Sequence, residues 1–191
     1  MTDVVDVDAG EFFGVAAKGD GTAWIWGGTS NIVGLYSVIG VTSPKSPVQL
    51  SVSDIVQVSA GRGHVLALNS AGQVRGWGSD VDGELGNGGL PPTGYPVHCP
   101  FGTEAITSIS TGTRHSMAVT ASGRVWVTGS NANRQLGVEN AGKVLTPVLL
   151  ALPTAVSEVC GDDNASIAVT TSGAIWGWGE APPRLGILRR R

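Results

Sequence analysis

The stretch 112–137, GTRHSMAVTASGRVWVTGSNANRQLG, contains the features on which the fold prediction depends. Two apolar segments lie on either side of a turn that contains Gly123, and a loop then leads to a Leu-Gly pair. The first apolar segment begins with Arg114, His115 and Ser116. This triplet could place a nucleophile beside its base, or its residues could have a purely structural role. The choice depends on whether the same pattern recurs elsewhere in the chain.

Glycines recur along the chain at a nearly constant period. One set closes a short alternating segment in each unit, and two further sets mark the following turn and the end of an aromatic segment. The three sets are Gly10, Gly61, Gly112 and Gly161, then Gly21, Gly72, Gly123 and Gly173, then Gly27, Gly78, Gly129 and Gly179. The spacing is 51 residues between the first three units and 49 to 50 before the last. Several anchors in phase indicate a repeat protein.

Each repeat is predicted to be a small antiparallel sheet. An alternating strand, an apolar strand such as HSMAVT, and an aromatic strand such as VWVTG follow one another, with glycine in the hairpin turn. A fourth strand is expected near a recurring Pro-Val pair, where an edge strand tolerates proline. A sheet of about 51 residues cannot bury both faces alone, whereas sheets repeated radially bury them on their neighbours. The predicted fold class is all-β, with β-propeller blades of four antiparallel strands in an incomplete ring or half-propeller.

The whole chain, 1–191, is predicted to be one repeat domain. Its units are placed at 4–54, 55–105, 106–154 and 155–188, and the last is incomplete. A Leu-Gly pair is present at Leu85-Gly86, Leu136-Gly137 and Leu185-Gly186. In the first unit, NIVGLYS stands where that loop belongs.

Composition excludes several classes of protein. Charged residues are only 14%, the net charge is −3, and the one basic run is the terminal Arg189-Arg190-Arg191, so a nucleic-acid footprint is absent. No apolar run has membrane-spanning length, and the acidic start of the chain does not resemble a signal peptide. The two cysteines, Cys99 and Cys160, form no metal-binding pattern. We expect a soluble intracellular protein, cytoplasmic by default, with a nuclear location left open.

The repeat resembles that of the regulator of chromosome condensation family. The segments ISTGTRHSMAVTASGRVWVTGSNANRQLG and VSAGRGHVLALNSAGQVRGWGSDVDGELGNG carry the resemblance most fully, and it covers about residues 4–188. The resemblance implies a closed ring of seven blades. This chain supplies three units and most of a fourth.

An open arc would leave two exposed sheet edges, which favours association. The chain could be a fragment of a longer protein, pair with a second copy, or be covered by a different chain. We expect a protein partner, with a homodimer first because closed two-fold assemblies are common. A subunit of a larger assembly remains the other expectation.

We interpret the triplet that begins at Arg114 as structural. His115 and Ser116 are adjacent on a strand, so their side chains point to opposite faces. The same slot is assigned to His64 in the second unit, Phe13 in the first and Asn164 in the fourth. His64, His115 and Asn164 are therefore predicted to be structural, hydrogen-bonding loop backbone, together with the repeat glycines Gly10, Gly61, Gly112 and Gly161. No catalytic residue is predicted.

No metal or cofactor is predicted. Asp80, Asp82 and Glu84 superficially resemble a calcium loop, but the spacing and flanking helices are wrong, so a solvated turn is expected. The six tryptophans lie in third strands and are expected to pack between blades.

The two slots after each repeat glycine vary from unit to unit. In the resembling family these slots lie in loops on one ring face that contacts partners. They hold Glu11, Phe12, Arg62, Thr113, Arg114, Asp162 and Asp163, with Gly63 in the second unit. Plant ultraviolet-B photoreceptors of this family carry tryptophan there, so photoreception is not expected. Charges of both signs suit a polar protein interface.

The predicted function is a non-catalytic protein-binding or assembly module that displays ring-face loops and associates through open blade edges. Two alternatives remain. The resemblance implies guanine-nucleotide exchange on a small GTPase, although no insertion resembles an exchange wedge. The chain could instead be a structural subunit of a large particle, such as a virion or cytoskeletal assembly.

Overall fold

The computed structural model describes residues 1–28, 45–89, 93–139 and 142–180. Within these ranges the protein has 15 strands and no helix, which confirms the all-β prediction. The predictions made for NIVGLYS, for Leu185-Gly186 and for the terminal arginines lie outside the described residues.

The strands form four antiparallel sheets in chain order. Blade 1 contains β1 (Val4–Ala9), β2 (Phe13–Lys18), β3 (Ala23–Gly27) and β4 (Val48–Gln49). Blade 2 contains β5 (Ile55–Ala60), β6 (His64–Asn69), β7 (Val74–Gly78) and β8 (Thr93–His98). Blade 3 contains β9 (Ile106–Thr111), β10 (His115–Thr120), β11 (Val125–Ser130) and β12 (Lys143–Leu150). Blade 4 contains β13 (Val156–Asp162), β14 (Ala165–Thr170) and β15 (Ile175–Gly179), and its sheet has three strands in the described part of the chain.

The hydrophobic core lies between blades. One cluster joins blades 1 and 2 and includes Val15, Ile25 and Val58; a second joins blades 2 and 3; a third joins blades 3 and 4 and includes Met117 and Val159. The first strands β1, β5, β9 and β13 follow one another around an axis, each in contact with the next. The protein is therefore a partial ring of about four β-propeller blades.

Inner strands are joined by side chains that reach the backbone of the next blade. Asp8 Oδ2 accepts a hydrogen bond from Ala60 N at 2.8 Å. Ser59 Oγ accepts from Thr111 N at 3.1 Å, and Ser110 Oγ accepts from Gly161 N at 2.9 Å. These three bonds occupy the same repeat position, so each first strand satisfies N–H groups of the next that no backbone carbonyl reaches.

The pairing register corrects the slot assignment in blade 4. His64 pairs with Gly78 and His115 with Gly129, whereas Ala165, not Asn164, pairs with Gly179. Likewise Thr111 pairs with Ser116, and Gly161 pairs with Ser166. Asp162 therefore stands where the other blades have their repeat glycine, because the connection from Gly161 to β14 is one residue longer than the sequence spacing indicated.

The turn glycine Gly123 supports the junction between blades 3 and 4. Its φ is +79°, and a Cβ there would lie 2.7 Å from Ala155 Cβ and 3.0 Å from Val156 N. Gly88 has a similar φ of +88° with nothing within 4 Å.

Replacing Gly123 with alanine is therefore expected to destabilise the protein more than Gly88→Ala. Both variants carry the left-handed backbone cost of about 1–2 kcal/mol, and Gly123→Ala adds an overpacking cost of about 1–3 kcal/mol. Urea unfolding of both variants measures the difference. Equal urea midpoints for the two variants would show that the turn at Gly123 does not pack closely against blade 4.

Candidate functional site

The histidine slot joins neighbouring blades. His64 Nε2 lies 3.0 Å from Ser116 Oγ, and His115 Nε2 lies 2.8 Å from Ser166 Oγ. His115 and Ser116, adjacent in sequence, thus reach opposite neighbours, as their alternation on a strand predicts. The partner of each imidazole is a hydroxyl of the next blade, where loop backbone was expected.

The bonding of Ser166 fixes the tautomer of His115. Ser166 Oγ donates its proton to Gln135 O at 2.7 Å, so His115 Nε2 must donate to Ser166 Oγ. His115 Nδ1 is buried and has no hydrogen-bond partner. The imidazole is a donor to this hydroxyl, which is the reverse of a base that activates a nucleophile.

Burial keeps both imidazoles neutral. Desolvation lowers the pKa of His64 to about 3, with the nearby His115 as a smaller cause, and desolvation lowers the pKa of His115 to about 4. His64, His115, Ser116 and Ser166 are all fully buried. The set is therefore a sealed hydrogen-bonded seam between blades.

The acidic loop of blade 2 differs from the expected solvated turn. Asp80, Asp82 and Glu84 are all buried, and burial raises the pKa of Asp80 and of Glu84. Asp80 Oδ1 accepts a hydrogen bond from Leu85 N at 2.8 Å, and Glu84 Oε2 accepts one from Asp82 N at 2.8 Å. The carboxylates fold the loop around Leu85, which is fully buried.

The equivalent loop of blade 3 uses neutral side chains for the same bonds. Asn131 Oδ1 accepts from Leu136 N at 2.9 Å, and Gln135 Oε1 accepts from Asn133 N at 2.9 Å. Asp80 and Glu84 therefore make the same structural bonds in blade 2 that Asn131 and Gln135 make in blade 3. Among the described residues there is no cluster of histidine, cysteine and acidic side chains that could hold a metal ion.

The tryptophans differ in burial from blade to blade. Trp77 is fully buried, and Trp178 Nε1 donates to Gln135 O at 2.8 Å across the junction of blades 3 and 4. Trp176 is 43% exposed on the last blade.

The seven residues assigned to ring-face loops line two adjoining clefts. The axial cleft, of about 670 Å³, is lined from all four first strands and includes Asp162 and Asp163. The second cleft, of about 270 Å³, includes Phe12 and Arg114. Glu11, Arg62 and Thr113 line both. The structure thus brings together all seven residues, although the register of blade 4 places Asp162 at the repeat-glycine position and not in a variable position.

Backbone hydrogen bonds hold these loops at fixed spacing. Arg62 N donates to Thr113 O at 3.1 Å, and Thr113 N donates to Asp163 O at 3.1 Å. Side chains add to these connections: Thr113 Oγ1 donates to Asp163 Oδ1 at 2.9 Å, and the loop of blade 1 is tied to that of blade 2 by an ion pair in which Arg62 Nε lies 2.7 Å from Glu11 Oε2. Each ring-face loop is tied to the next one.

Residues of the acidic loop complete the second cleft, which the sequence pattern did not indicate. The Asp82 carboxylate forms ion pairs with Arg114 Nη1 at 3.3 Å and with Lys143 Nζ at 2.7 Å. Val81 is 64% exposed and lines the same cleft as Phe12, which is 58% exposed. The acidic pattern of the loop was visible in the sequence, but its position beside Arg114 depends on the way blades 2 and 3 pack. The cleft presents two exposed apolar side chains beside two half-exposed guanidinium groups.

These antiparallel blades around an axis, with variable loops at one end of it, define a β-propeller repeat domain. Residues 55–84 and 106–135 match the Regulator of chromosome condensation (RCC1) repeat, and residues 71–119 match a second description of the same repeat. The chain is thus an RCC1-repeat β-propeller domain, as the sequence resemblance indicated. Among the described residues no helix is long and apolar enough to cross a membrane.

Individual relatives are longer than this chain. It is 31% identical over 175 residues to the RCC1 domain-containing protein RUG3, mitochondrial, of Arabidopsis thaliana, covering 90% of this chain and 39% of that protein. It is 32% identical over 176 residues to the human E3 ubiquitin-protein ligase HERC2, covering 88% of this chain and 4% of that protein. The crystal structure of Prp20p from Saccharomyces cerevisiae, described with its binding properties to Gsp1p and histones, superposes with a TM-score of 0.81 at 25% identity. That comparison covers 94% of this chain and 44% of the yeast chain.

The buried histidines make stability depend on pH. Because the pKa of His115 is about 4 in the folded protein and near 6.5 when unfolded, the unfolded chain binds more protons between these values. The free energy of unfolding should be highest above about pH 6.5 and decline toward pH 4, with His115 contributing on the order of 3 kcal/mol.

Urea unfolding at pH 7.5 and pH 4.5 measures this dependence. The His115→Asn variant should be less stable at pH 7.5 and lose less stability on acidification. His98→Asn, at an exposed histidine, is the control and should keep the wild-type dependence. An unchanged pH dependence in His115→Asn would contradict the assignment.

Proposed function

We propose that this domain is a non-enzymatic protein-binding module whose partner contacts the ring-face clefts. The observation that supports the proposal is the convergence of Glu11, Phe12, Arg62, Thr113, Arg114, Asp162 and Asp163 on two adjoining clefts. Exposed aromatic and arginine side chains are the residue types that dominate binding energy at protein interfaces.

The charges favour an oriented polar contact. Arg62 is already paired with Glu11 and Arg114 with Asp82, so neither guanidinium presents an isolated positive charge. On the axial side, Asp162 and Asp163 are exposed and negative. A partner surface with apolar residues for Phe12 and Val81, and with basic groups for the axial acids, would match this pattern.

Rigid display is the proposed mechanism. Because the loops of blades 2, 3 and 4 are tied together by backbone hydrogen bonds and the loop of blade 1 by the Glu11–Arg62 ion pair, they lose little conformational freedom when a partner binds. Association through the open ends of the arc is a second part of the proposal, supported by the exposed apolar side chains of Val7 on the first blade and Ile175 on the last.

Partner capture tests the ring-face proposal. The double variant Arg62→Glu/Arg114→Glu should lose a specific partner at least tenfold relative to the unaltered protein, measured by quantitative affinity capture followed by titration of the purified partner. Arg124→Glu is the matched control, because Arg124 is equally half-exposed and ion-paired, with Glu104, but lines neither cleft. Equal binding by both variants would place the partner elsewhere.

A small GTPase is the second candidate partner, favoured by the structural similarity to Prp20p, whose description names Gsp1p. Release of bound labelled guanine nucleotide from purified small GTPases, with and without the domain, tests exchange activity. Accelerated release that Arg62→Glu/Arg114→Glu abolishes would replace the non-enzymatic proposal, whereas unchanged release would remove this candidate.

A further inference from the structure

The three internal junctions repeat one set of backbone contacts. At each junction the first N–H of a blade's inner strand donates to the carbonyl of the turn glycine in the preceding blade. The bonds are Ile55 N to Gly21 O at 3.0 Å, Ile106 N to Gly72 O at 2.9 Å, and Val156 N to Gly123 O at 2.9 Å. At the two ends of the arc, Val4 holds the position of the N–H donor and Gly173 holds the position of the turn glycine.

The apolar positions of the inner strand also repeat. At the three junctions, two positions of the inner strand face the preceding blade and are at most 5% exposed: Ile55 and Val58, Ile106 and Ile109, Val156 and Val159. In blade 1 the equivalent Val4 is 40% exposed and Val7 is 62% exposed. We call this surface, formed by Val4 and Val7, the leading face.

The opposite end of the arc exposes the complementary positions. Val74 and Val125 are each 1% exposed because the next blade covers them, whereas the equivalent Ile175 of blade 4 is 58% exposed. Ile167 is partly exposed, whereas the equivalent Leu66 and Met117 are fully buried. We call this surface, formed by Ile167 and Ile175, the trailing face. A Cβ on Gly123 would meet Ala155, but one on Gly173 would meet nothing within 4 Å.

We propose that two copies of this chain join head to tail, with the leading face of each copy packed on the trailing face of the other. This proposal rests on the proposed association through open ends and names its partner. Each face retains the apolar side chains and the free backbone position that the internal junctions use, so the joint continues an interface the chain already makes three times. None of the four face residues is charged. Glu158 lies at the position of Asp6, whose carboxylate accepts the backbone N–H of Val58 at an internal junction, so the joint has an acceptor for the equivalent N–H of Val7.

At the two ends of the arc, small residues hold the positions that histidine and serine occupy at the internal junctions, so they fit the proposed joint. Internal junctions set His64 against Ser116 and His115 against Ser166. The equivalent pair across the new joint is Ala165 against Gly14, which needs no hydrogen bond and introduces no clash of long side chains. The interface is heterologous, and two copies of four blades each bury both faces at once when they close a ring of eight blades, one more than the family resemblance implies.

Mass in solution, measured by sedimentation over a concentration series, tests the assembly. The unaltered chain should sediment as a dimer. Val7→Asp and Ile175→Asp should each give a monomer, since either change disrupts both joints of the ring. Val56→Asp is the control, because Val56 is an inner-strand valine exposed to 48% that belongs to neither face, and it should remain dimeric.

Mixing the two variants distinguishes this arrangement from a symmetric contact. Val7→Asp and Ile175→Asp protein together present one intact leading face and one intact trailing face, so a 1:1 mixture should recover a heterodimer. A monomeric unaltered chain would overturn the proposal, as would single variants that stay dimeric or a mixture that stays monomeric.

A disulfide tests the register. Ser59 Oγ and Thr111 Oγ1 lie 3.0 Å apart at the junction of blades 2 and 3, and Cys160 and Ala9 are their equivalents at the two ends. Oxidised Ala9→Cys protein should therefore form a covalent dimer through Cys160 on non-reducing gels, while Cys99 is buried and stays reduced. The unaltered chain and Ala9→Cys/Cys160→Ser should form none. Absence of the dimer, or a bridge within one chain, would overturn the register.

The two proposals fail separately. Arg62→Glu/Arg114→Glu leaves both faces intact and should remain dimeric. Loss of partner capture in that variant with an unchanged dimer would support the ring-face site, whereas a monomeric unaltered chain that still captures its partner would overturn only the head-to-tail joint.

Discussion

The joint between neighbouring blades is the interaction on which the structure depends. Each sheet of this protein is small and has two faces to cover, and the hydrophobic clusters lie between sheets. The inner strand of each blade therefore has two tasks: it pairs with its own second strand and presents apolar side chains to the blade before it. Side-chain acceptors such as Asp8 and Ser59 complete the joint, because they receive backbone N–H groups that sheet pairing leaves over.

Much of the fold could be predicted from the sequence because repetition reveals the positions that packing fixes. Glycine, the strand-forming segments and the Leu-Gly pair recur at a constant spacing, and that spacing is enough to infer strands, blades and a ring. Residue spacing gave the wrong alignment in blade 4. Gly161 lies at nearly the expected spacing, but in the structure it does not occupy the repeat-glycine position. There the pairing of Ala165 with Gly179 decides the register, and strand pairing is a long-range contact that one unit's sequence does not specify.

Burial was harder to predict than topology. Asp80, Asp82 and Glu84 have the composition of an exposed turn, yet all three are buried. Asp80 and Glu84 accept backbone N–H groups of the loop that encloses Leu85, and Asp82 is ion-paired with basic side chains of blade 3. Asn131 and Gln135 make the equivalent hydrogen bonds in blade 3, which shows that these positions serve the loop backbone. The sequence does not reveal this equivalence, because it depends on the two loops having the same conformation. The residues assigned to the variable positions line clefts at one end of the axis, because all loops between first and second strands emerge there. The contribution of Val81 and Asp82 to the second cleft was missed because those residues come from a different loop.

The histidine seam also determines which blade can stand beside which. His64 meets Ser116 and His115 meets Ser166, whereas Phe13 and Val65 occupy these positions between blades 1 and 2 within one apolar cluster. Blades built from similar repeats can stack in the wrong order while the chain folds, a known hazard of repeat proteins. A misplaced blade would set Phe13 against a serine or leave an imidazole buried against Val65. The histidine–serine pairs therefore distinguish the junction of blades 1 and 2 from the two junctions that follow it.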